Sequence, residues 1–237
     1  MRIIALVSVA VILVLAAGAS ASMYGTVQVQ FLNVSPGQSI STMIHPYDTT
    51  SWYTGPTGQF NLSYLTTPPV LLYPQASCIE VQTISGGGIY WYDVVDPSDV
   101  PVPDGPYDQG QGPMGVAKAD YLREFWALAF GSVTNNVTAA AFQLGVWEIV
   151  FEDLPTTPPT GWDVTTGRFE TLLDANSSAA ITQANAWLAS VDGVGPKATL
   201  YGLRSNSAQD MIVSPEPATL AFLGLGSIGL LVRRRRK

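Results

Sequence analysis

Asn135-Asn136-Val137-Thr138-Ala139-Ala140-Ala141-Phe142-Gln143-Leu144-Gly145-Val146-Trp147-Glu148-Ile149-Val150-Phe151 is the stretch from which the rest of the chain can be read. It predicts a helix that begins near Thr134 or Asn135, residue types suited to capping, and runs to about Phe151. Its apolar residues Val137, Ala140, Ala141, Phe142, Leu144, Val146, Trp147, Ile149 and Val150 occupy most of the helix circumference. A surface helix carries one apolar stripe, whereas one that is apolar nearly all round belongs between layers. Gln143 is the exception. Its neighbours three and four positions away are Ala139, Ala140, Val146 and Trp147, so its carboxamide leaves the helix among small and apolar side chains.

Two more helices flank this one. Tyr121, Leu122, Phe125, Trp126 and Leu128 recur at three- and four-residue spacing and stop at Gly131, and Ile181, Ala184, Trp187 and Leu188 form a face after a cap near Asn176 or Ser177, ending before Gly193. The first half reads differently. Thr26 to Phe31 and Phe60 to Tyr64 alternate polar and apolar residues with period two, and Ser77 to Gln82 and Ile89 to Val94 supply two further strand candidates. Turn residues separate them at Ser35-Pro36-Gly37, Gly55-Pro56-Thr57-Gly58 and Gly86-Gly87-Gly88. A loop rich in Pro, Asp and Gly over 96–114 divides strands from helices, and Lys197 to Tyr201 and Gln209 to Val213 are candidates to return to the sheet. The expected class is α+β: a β-sandwich or barrel-like N-terminal half (22–100), a helical subdomain (115–190) and return strands within 197–213.

Charge narrows the functions. The chain has 11 Lys and Arg against 18 Asp and Glu, a net −7, but six of the basic residues are Arg2 and the run 233–237. Residues 22–214 alone hold five basic and seventeen acidic residues, or −12. So acidic a body repels phosphates, which argues against nucleic acid as a partner. With one Cys, Cys78, and one His, His45, no internal disulfide and no Cys/His zinc site can form. No P-loop, dinucleotide glycine pattern or EF-hand loop is present. Asp93, Asp96 and Asp99 read as a solvated loop, and His45, before Pro46, as a loop side chain. No metal or cofactor is expected, and no base, nucleophile and orienting group combine into a turnover site, so the chain is not expected to be an enzyme.

Both ends point to export. Met1-Arg2, an apolar run from Ile3 to Ala17, and Ala19-Ser20-Ala21 read as a secretory signal peptide, residues 1–21, cleaved after Ala21. At the other end, Pro215-Glu216-Pro217 precedes an apolar helix over 218–232 and the basic tail Arg233-Arg234-Arg235-Arg236-Lys237. Fifteen helical residues reach about 22 Å against the ~30 Å of hydrocarbon, a marginal span suited to a temporary hold in the inner membrane, with the basic tail on the cytoplasmic side. The order of these parts over 214–237, with Gly224, Gly226 and Gly229 inside the apolar run, resembles the PEP-CTERM sorting signal of Gram-negative bacteria. That resemblance implies recognition by an exosortase, cleavage near the motif, and delivery to a cell surface or matrix rich in exopolysaccharide.

An unpaired Cys in an exported chain calls for a reason. Cys78 lies in a strand candidate where Cys78, Glu80 and Gln82 face one way and Ile79 and Val81 the other. Cys78-Ile79-Glu80 followed by Phe142-Gln143-Leu144-Gly145-Val146-Trp147 resembles the thioester domains of bacterial surface adhesins, in which a Cys and a Gln join between a β subdomain and a helical one. Ser77 stands where that family usually has a large apolar residue, and Glu80 where Asp is frequent. The resemblance implies that Cys78 and Gln143 form an internal thioester that captures an amine. Glu80 is then placed to move protons, Gly145 to let a strand backbone approach the helix, and Trp147 to shield the bond from water. The alternative is a non-reactive structural or carbohydrate-associated surface protein of the same fold, with Trp52, Tyr53, Trp91 and Tyr92 as aromatics available to sugars.

Overall fold

A computed structural model describes residues 23–45, 52–81, 88–102, 112–155 and 161–215. The signal segment, the apolar helix over 218–232 and the basic tail lie outside these residues. No helix among the described residues is long and apolar enough to cross a membrane.

The helix expected from 135–151 is present as α2, Asn136–Phe151, taking α1 as Val116–Ala129 and α3 as Ser178–Leu188. Its start is fixed by a reciprocal cap. Thr138 N–H donates to the Asn135 side chain at 3.0 Å while Asn135 N–H donates to Thr138 Oγ1 at 3.1 Å, satisfying two amides that the first turn would otherwise leave unpaired. At the other end Lys118 of α1 donates to the carbonyl oxygens of Val150 and Glu152 at 2.7 and 2.8 Å, placing a cation where the helix dipole is negative. Every residue from Ala139 to Phe151 is buried. On one side α2 meets strands; on the other it packs against α1 and α3, whose buried faces are Ala119, Leu122, Phe125, Trp126 and Ala129 and then Ala180, Ile181, Ala184 and Leu188.

The β layer has seven antiparallel strands: β1 Gly25–Ile44, β2 Tyr53–Tyr64, β3 Leu72–Cys78, β4 Ile89–Val95, β5 Phe169–Thr171, β6 Tyr201–Arg204 and β7 Met211–Pro215. Their order is β2-β3-β7-β6-β4-β1-β5, and β1 also pairs with β2, which closes the first six into a ring. The ring is barrel-like, as expected, but it is not made by the N-terminal half alone. β6 and β7 insert between β3 and β4, so residues from the end of the chain complete it. Pairing of β1 with β4 ends at Gln30, whereas pairing with β2 continues to Thr42, so the β1–β2 ribbon runs on past the ring and α2 packs against it.

Several local expectations are corrected here. Ser35-Pro36-Gly37 and Gly55-Pro56-Thr57-Gly58 are not turns but lie within the ribbon, where the pairing shifts register between Val34 and Gly37 and then resumes with Gly37 opposite Gly58. Glycine is required there by close approach. A Cβ on Gly58 would fall 2.5 Å from Gly37 Cα and closer still to Pro36 O, both backbone atoms. β5, three residues paired to the end of β1, has too short a period to be read from sequence. The strand expected over 77–82 instead begins at Leu72 and ends at Cys78, and Ile79, Glu80 and Val81 are all buried beyond it, so the two-face alternation does not apply. Asp93 and Asp96 are not merely solvated: Arg204 pairs with Asp93 at 3.1 Å, and Arg123 with Asp96 at 2.6 Å. α1 ends at Ala129, and Gly131 falls inside a following 3₁₀ turn.

Gly58→Ala is expected to destabilise the domain by about 1–3 kcal/mol through forced backbone separation. Gly131→Ala, whose Cβ would meet nothing within 4 Å, should change stability little. Urea unfolding of the two variants checks the contrast.

Candidate functional site

Cys78 closes β3, where it is paired across the ladder with Met211 of β7. Gln143 projects from the middle of α2. Although sixty-five residues apart, the two are in contact: Gln143 Nε2 donates to the Cys78 carbonyl oxygen at 2.8 Å, and both side chains are almost wholly buried. The carboxamide is only half satisfied. Gln143 Oε1 has no hydrogen-bond partner among the described residues, an arrangement that costs about 1–3 kcal/mol for a buried polar group.

Trp147, one helical turn after Gln143, closes the same face. Its ring centroid lies 5.8 Å from that of Phe169, and the residue is 3% exposed. The indole N–H makes no hydrogen bond among the described residues, and the downward pull it exerts on the Cys78 thiol is outweighed. Burial, followed by the neighbouring Glu80, pushes the Cys78 thiol well above its ordinary value, so the resting group is a protonated thiol.

Gly145 has a different role from the one expected. A Cβ there would fall 2.8 Å from Phe125 Cε2 and nearer still to Cζ, so the glycine makes room for the α1 ring rather than for a strand backbone. Phe125 in turn stacks on Phe142 with centroids 5.2 Å apart, and Trp126 meets Phe142 edge-on at 5.0 Å. This cluster sets the depth of α2, and hence of Gln143, against the strands.

Glu80 lies past the strand end. Its Oε2 accepts the Asp210 N–H at 2.7 Å, and its main-chain carbonyl accepts from the Gln209 side chain. Burial and the adjacent Asp210 raise its pKa to about 9, so at neutral pH it is a carboxylic acid. Asp210, which sequence reasoning did not single out, is buried too. Its Oδ1 accepts Ser205 N–H at 2.6 Å, its carbonyl accepts Ile79 N–H at 3.1 Å, and burial lifts it to about 7. The signal was a lone acid beside the apolar run Met211-Ile212-Val213. A third buried acid, Glu148 on α2, accepts Asp163 N–H at 2.8 Å and is pushed by burial to about 9.

His45 pairs with Glu170 at 3.3 Å. Among the described residues no group of three or more His, Cys, Asp or Glu is arranged to hold a metal. Trp91 is 56% exposed and Trp52 is 37% exposed, whereas Tyr92 is buried and Tyr53 packs against the core. Of the four aromatics considered for sugars, only the two tryptophans offer open surface.

Three acids with raised pKa values make stability depend on pH in a defined direction. The unfolded chain ionises Asp210 near 3.8 and both glutamates near 4.5, while the folded chain keeps their protons to about 7 and about 9. The stability they contribute is complete below these unfolded values and is lost as pH rises through the folded ones. The depressed aspartates Asp96, Asp120, Asp163 and Asp174 act only below 3.8, and Lys118, lowered to about 8 by burial, opposes the trend only above that pH. The thermal midpoint is therefore expected to fall steadily between about pH 4.5 and pH 8. Glu148→Gln should flatten that slope in a melting series across the window.

Residues 215–236 match the PEP-CTERM protein-sorting motif. No curated protein and no solved structure matches the chain. The last strand of the ring ends on Pro215, the first residue of that motif, so the folded body passes into the sorting signal without an intervening linker. The match supports export, with an exosortase as processing partner and the cell surface or extracellular space as destination; this is a protein whose chain ends in a PEP-CTERM sorting motif.

Proposed function

We propose that the body is a covalent surface adhesin in which Cys78 and Gln143 condense to an internal thioester that later captures an amine. The observation that carries this reading is the buried hydrogen bond from the Gln143 carboxamide to the Cys78 main-chain carbonyl at 2.8 Å, which brings the two residues together across the boundary between ring and helices. In the forming step the Cys78 sulfur adds to Gln143 Cδ, the C–N bond breaks, and the thiol proton leaves with the nitrogen as ammonia. Oε1 becomes the thioester carbonyl oxygen. Primary carboxamides are inert in water, but well-oriented intramolecular reactions reach effective molarities of ~10⁵–10⁸ M, worth ~7–11 kcal/mol of barrier. The dry surroundings that keep the thiol protonated also exclude the water that would hydrolyse the product.

Capture then proceeds once per molecule, with no turnover. The amine nitrogen bonds to Cδ, the C–S bond breaks, and Cys78 regains a proton. The ligand is a primary amine on a surface polymer or protein. Temporary retention in the inner membrane by residues 218–232 and final placement among exopolysaccharide complete the reading. The exposed Trp91 and Trp52 favour a second one, a non-reactive matrix protein that stacks on sugars while Gln143 serves only as a structural hydrogen bond.

The exported protein, with its termini mapped, should be lighter than its sequence by one ammonia and should gain one methylamine at Gln143; Cys78→Ala should remove both effects. Intact and peptide mass spectrometry read them. Full mass with a methylamine-inert Gln143 favours the matrix reading.

A further inference from the structure

The chain enters and leaves the folded body at one end of the ring. Tyr24 N–H, just before β1, donates to the carbonyl oxygen of Val94 near the end of β4 at 2.8 Å, and its ring meets that of Tyr201, the first residue of β6, edge-on with centroids 5.1 Å apart. Tyr201 is paired with Val213 of β7, and Pro215, where β7 ends, is paired with Leu72, where β3 begins. The loop before β3 returns to Tyr24: a Cβ on Gly25 would fall 3.1 Å from Pro69 Cβ. These residues form a continuous rim, and it is apolar and open. Leu71 is 66% exposed, Met23 55% and Tyr24 47%, and Pro69 is exposed beside them. No Asp, Glu, Lys or Arg occurs in 22–30, 62–72, 198–203 or 211–215, the stretches that build the rim, although residues 22–214 carry −12. Asp96, which follows β4 at this end, is paired with Arg123.

Resting on the reading that 218–232 is held in the inner membrane before processing, we propose that this rim is a membrane-docking surface, seated in the interface of the same bilayer. The covalent chain gives the reason. Only Glu216 and Pro217 separate the last strand from the apolar run, and the three steps from Pro215 to Ala218 span at most about 11 Å when fully extended. The rim is therefore tied close to the lipid for as long as the tail is held. The apolar run over 3–17, expected as a signal segment, precedes Met23 and so joins the body at the same end. Chemistry agrees with the tether. Tyr suits the headgroup level, where its ring lies in the apolar zone and its hydroxyl reaches water, and exposed Leu and Met gain by leaving water. Anionic headgroups repel the acidic remainder, which leaves the uncharged end as the face that approaches. β3 runs from the rim to Cys78, so docking leaves the Cys78–Gln143 contact a strand's length, about 20 Å, from the rim.

Nitroxide labels test this in the exported chain, isolated with its C-terminal segment intact and placed in bilayers of phosphatidylethanolamine and phosphatidylglycerol. Single cysteines enter a Cys78→Ala background as Tyr24→Cys, Leu71→Cys, Leu32→Cys, Leu173→Cys and Leu225→Cys. Electron paramagnetic resonance then measures collisions of each label with dissolved oxygen, which concentrates in lipid, and with a nickel complex confined to water. Leu32 and Leu173 are exposed apolar residues away from the rim, the first in β1 past its pairing with β4 and the second just after β5. The labels at 24 and 71 should favour oxygen, as the label at 225 does, while those at 32 and 173 favour nickel. Should Tyr24→Cys disturb the ring, Leu71→Cys decides. Water at the rim labels with lipid at 225 overturns the inference and leaves membrane retention standing. Water at 225 removes the retention reading, and the docking surface with it. Spin–spin broadening at 24 and 71, with shielding from both reagents, would mean that a second copy covers the rim, and overturns the inference as well.

Discussion

The hydrogen bond from the Gln143 carboxamide to the Cys78 carbonyl joins the two halves of the molecule, and most other features serve to keep it in place. A helix buried on every side cannot send an amide to solvent, so Gln143, like Glu148 on the same helix, must find its partner within the protein. The partner is at the end of β3, and β3 is held there by β7, which arrives from the far end of the chain. The depth of the helix is set from the opposite side by Phe125 seated over Gly145. Loss of ring closure, of the cap at Asn135 or of that glycine would each shift the amide relative to the cysteine. Chemistry that depends on orientation is sensitive to such shifts.

Around this contact the protein buries acids instead of neutralising them with bases. Glu80, Asp210 and Glu148 each accept a backbone N–H from a nearby loop, and burial is the main cause of the upward shift in all three. None is paired with a buried Lys or Arg. A neutral acid can fix a loop without the desolvation cost of a buried charge. It also leaves Glu80, the acid that follows Cys78, uncharged at neutral pH. Elsewhere the aspartates with cationic or hydroxyl partners, such as Asp96 and Asp120 with Arg123, are depressed and stay ionised at the surface.

The helices and the strands differed in how legible they were. α2 was readable because an apolar run of that length has one physical outcome, and Gln143 stood out in it as a polar residue that packing could not satisfy. The strands were less readable. Gly55-Pro56 and Ser35-Pro36 carry the composition of turns, but here they sit at irregularities of a long ribbon, and only the opposing register of Gly37 and Gly58 distinguishes the two uses. Period-two reasoning carried Cys78 into a strand that stops at that residue, so the face assigned to Glu80 had no ladder to support it. Asp210 carried one local signal, a lone acid beside an apolar run, but its role depends on a loop from 205 folding near Glu80, which is a tertiary fact. Gly145 was rightly singled out for close approach, but what approaches is an aromatic ring from α1.

The sorting motif supplies an exported setting and a surface destination, and the folded body supplies a buried carboxamide hydrogen-bonded to the main chain of a buried cysteine. The central claim concerns the nitrogen of Gln143, which a structural hydrogen bond retains and a thioester expels. Isotope-labelled protein examined by NMR after export decides between them. The account predicts that the side-chain amide pair of Gln143, identified by its loss in Gln143→Ala, is missing from the parent protein and present in Cys78→Ala. A strong, exchange-protected Gln143 amide pair in the parent protein would contradict it.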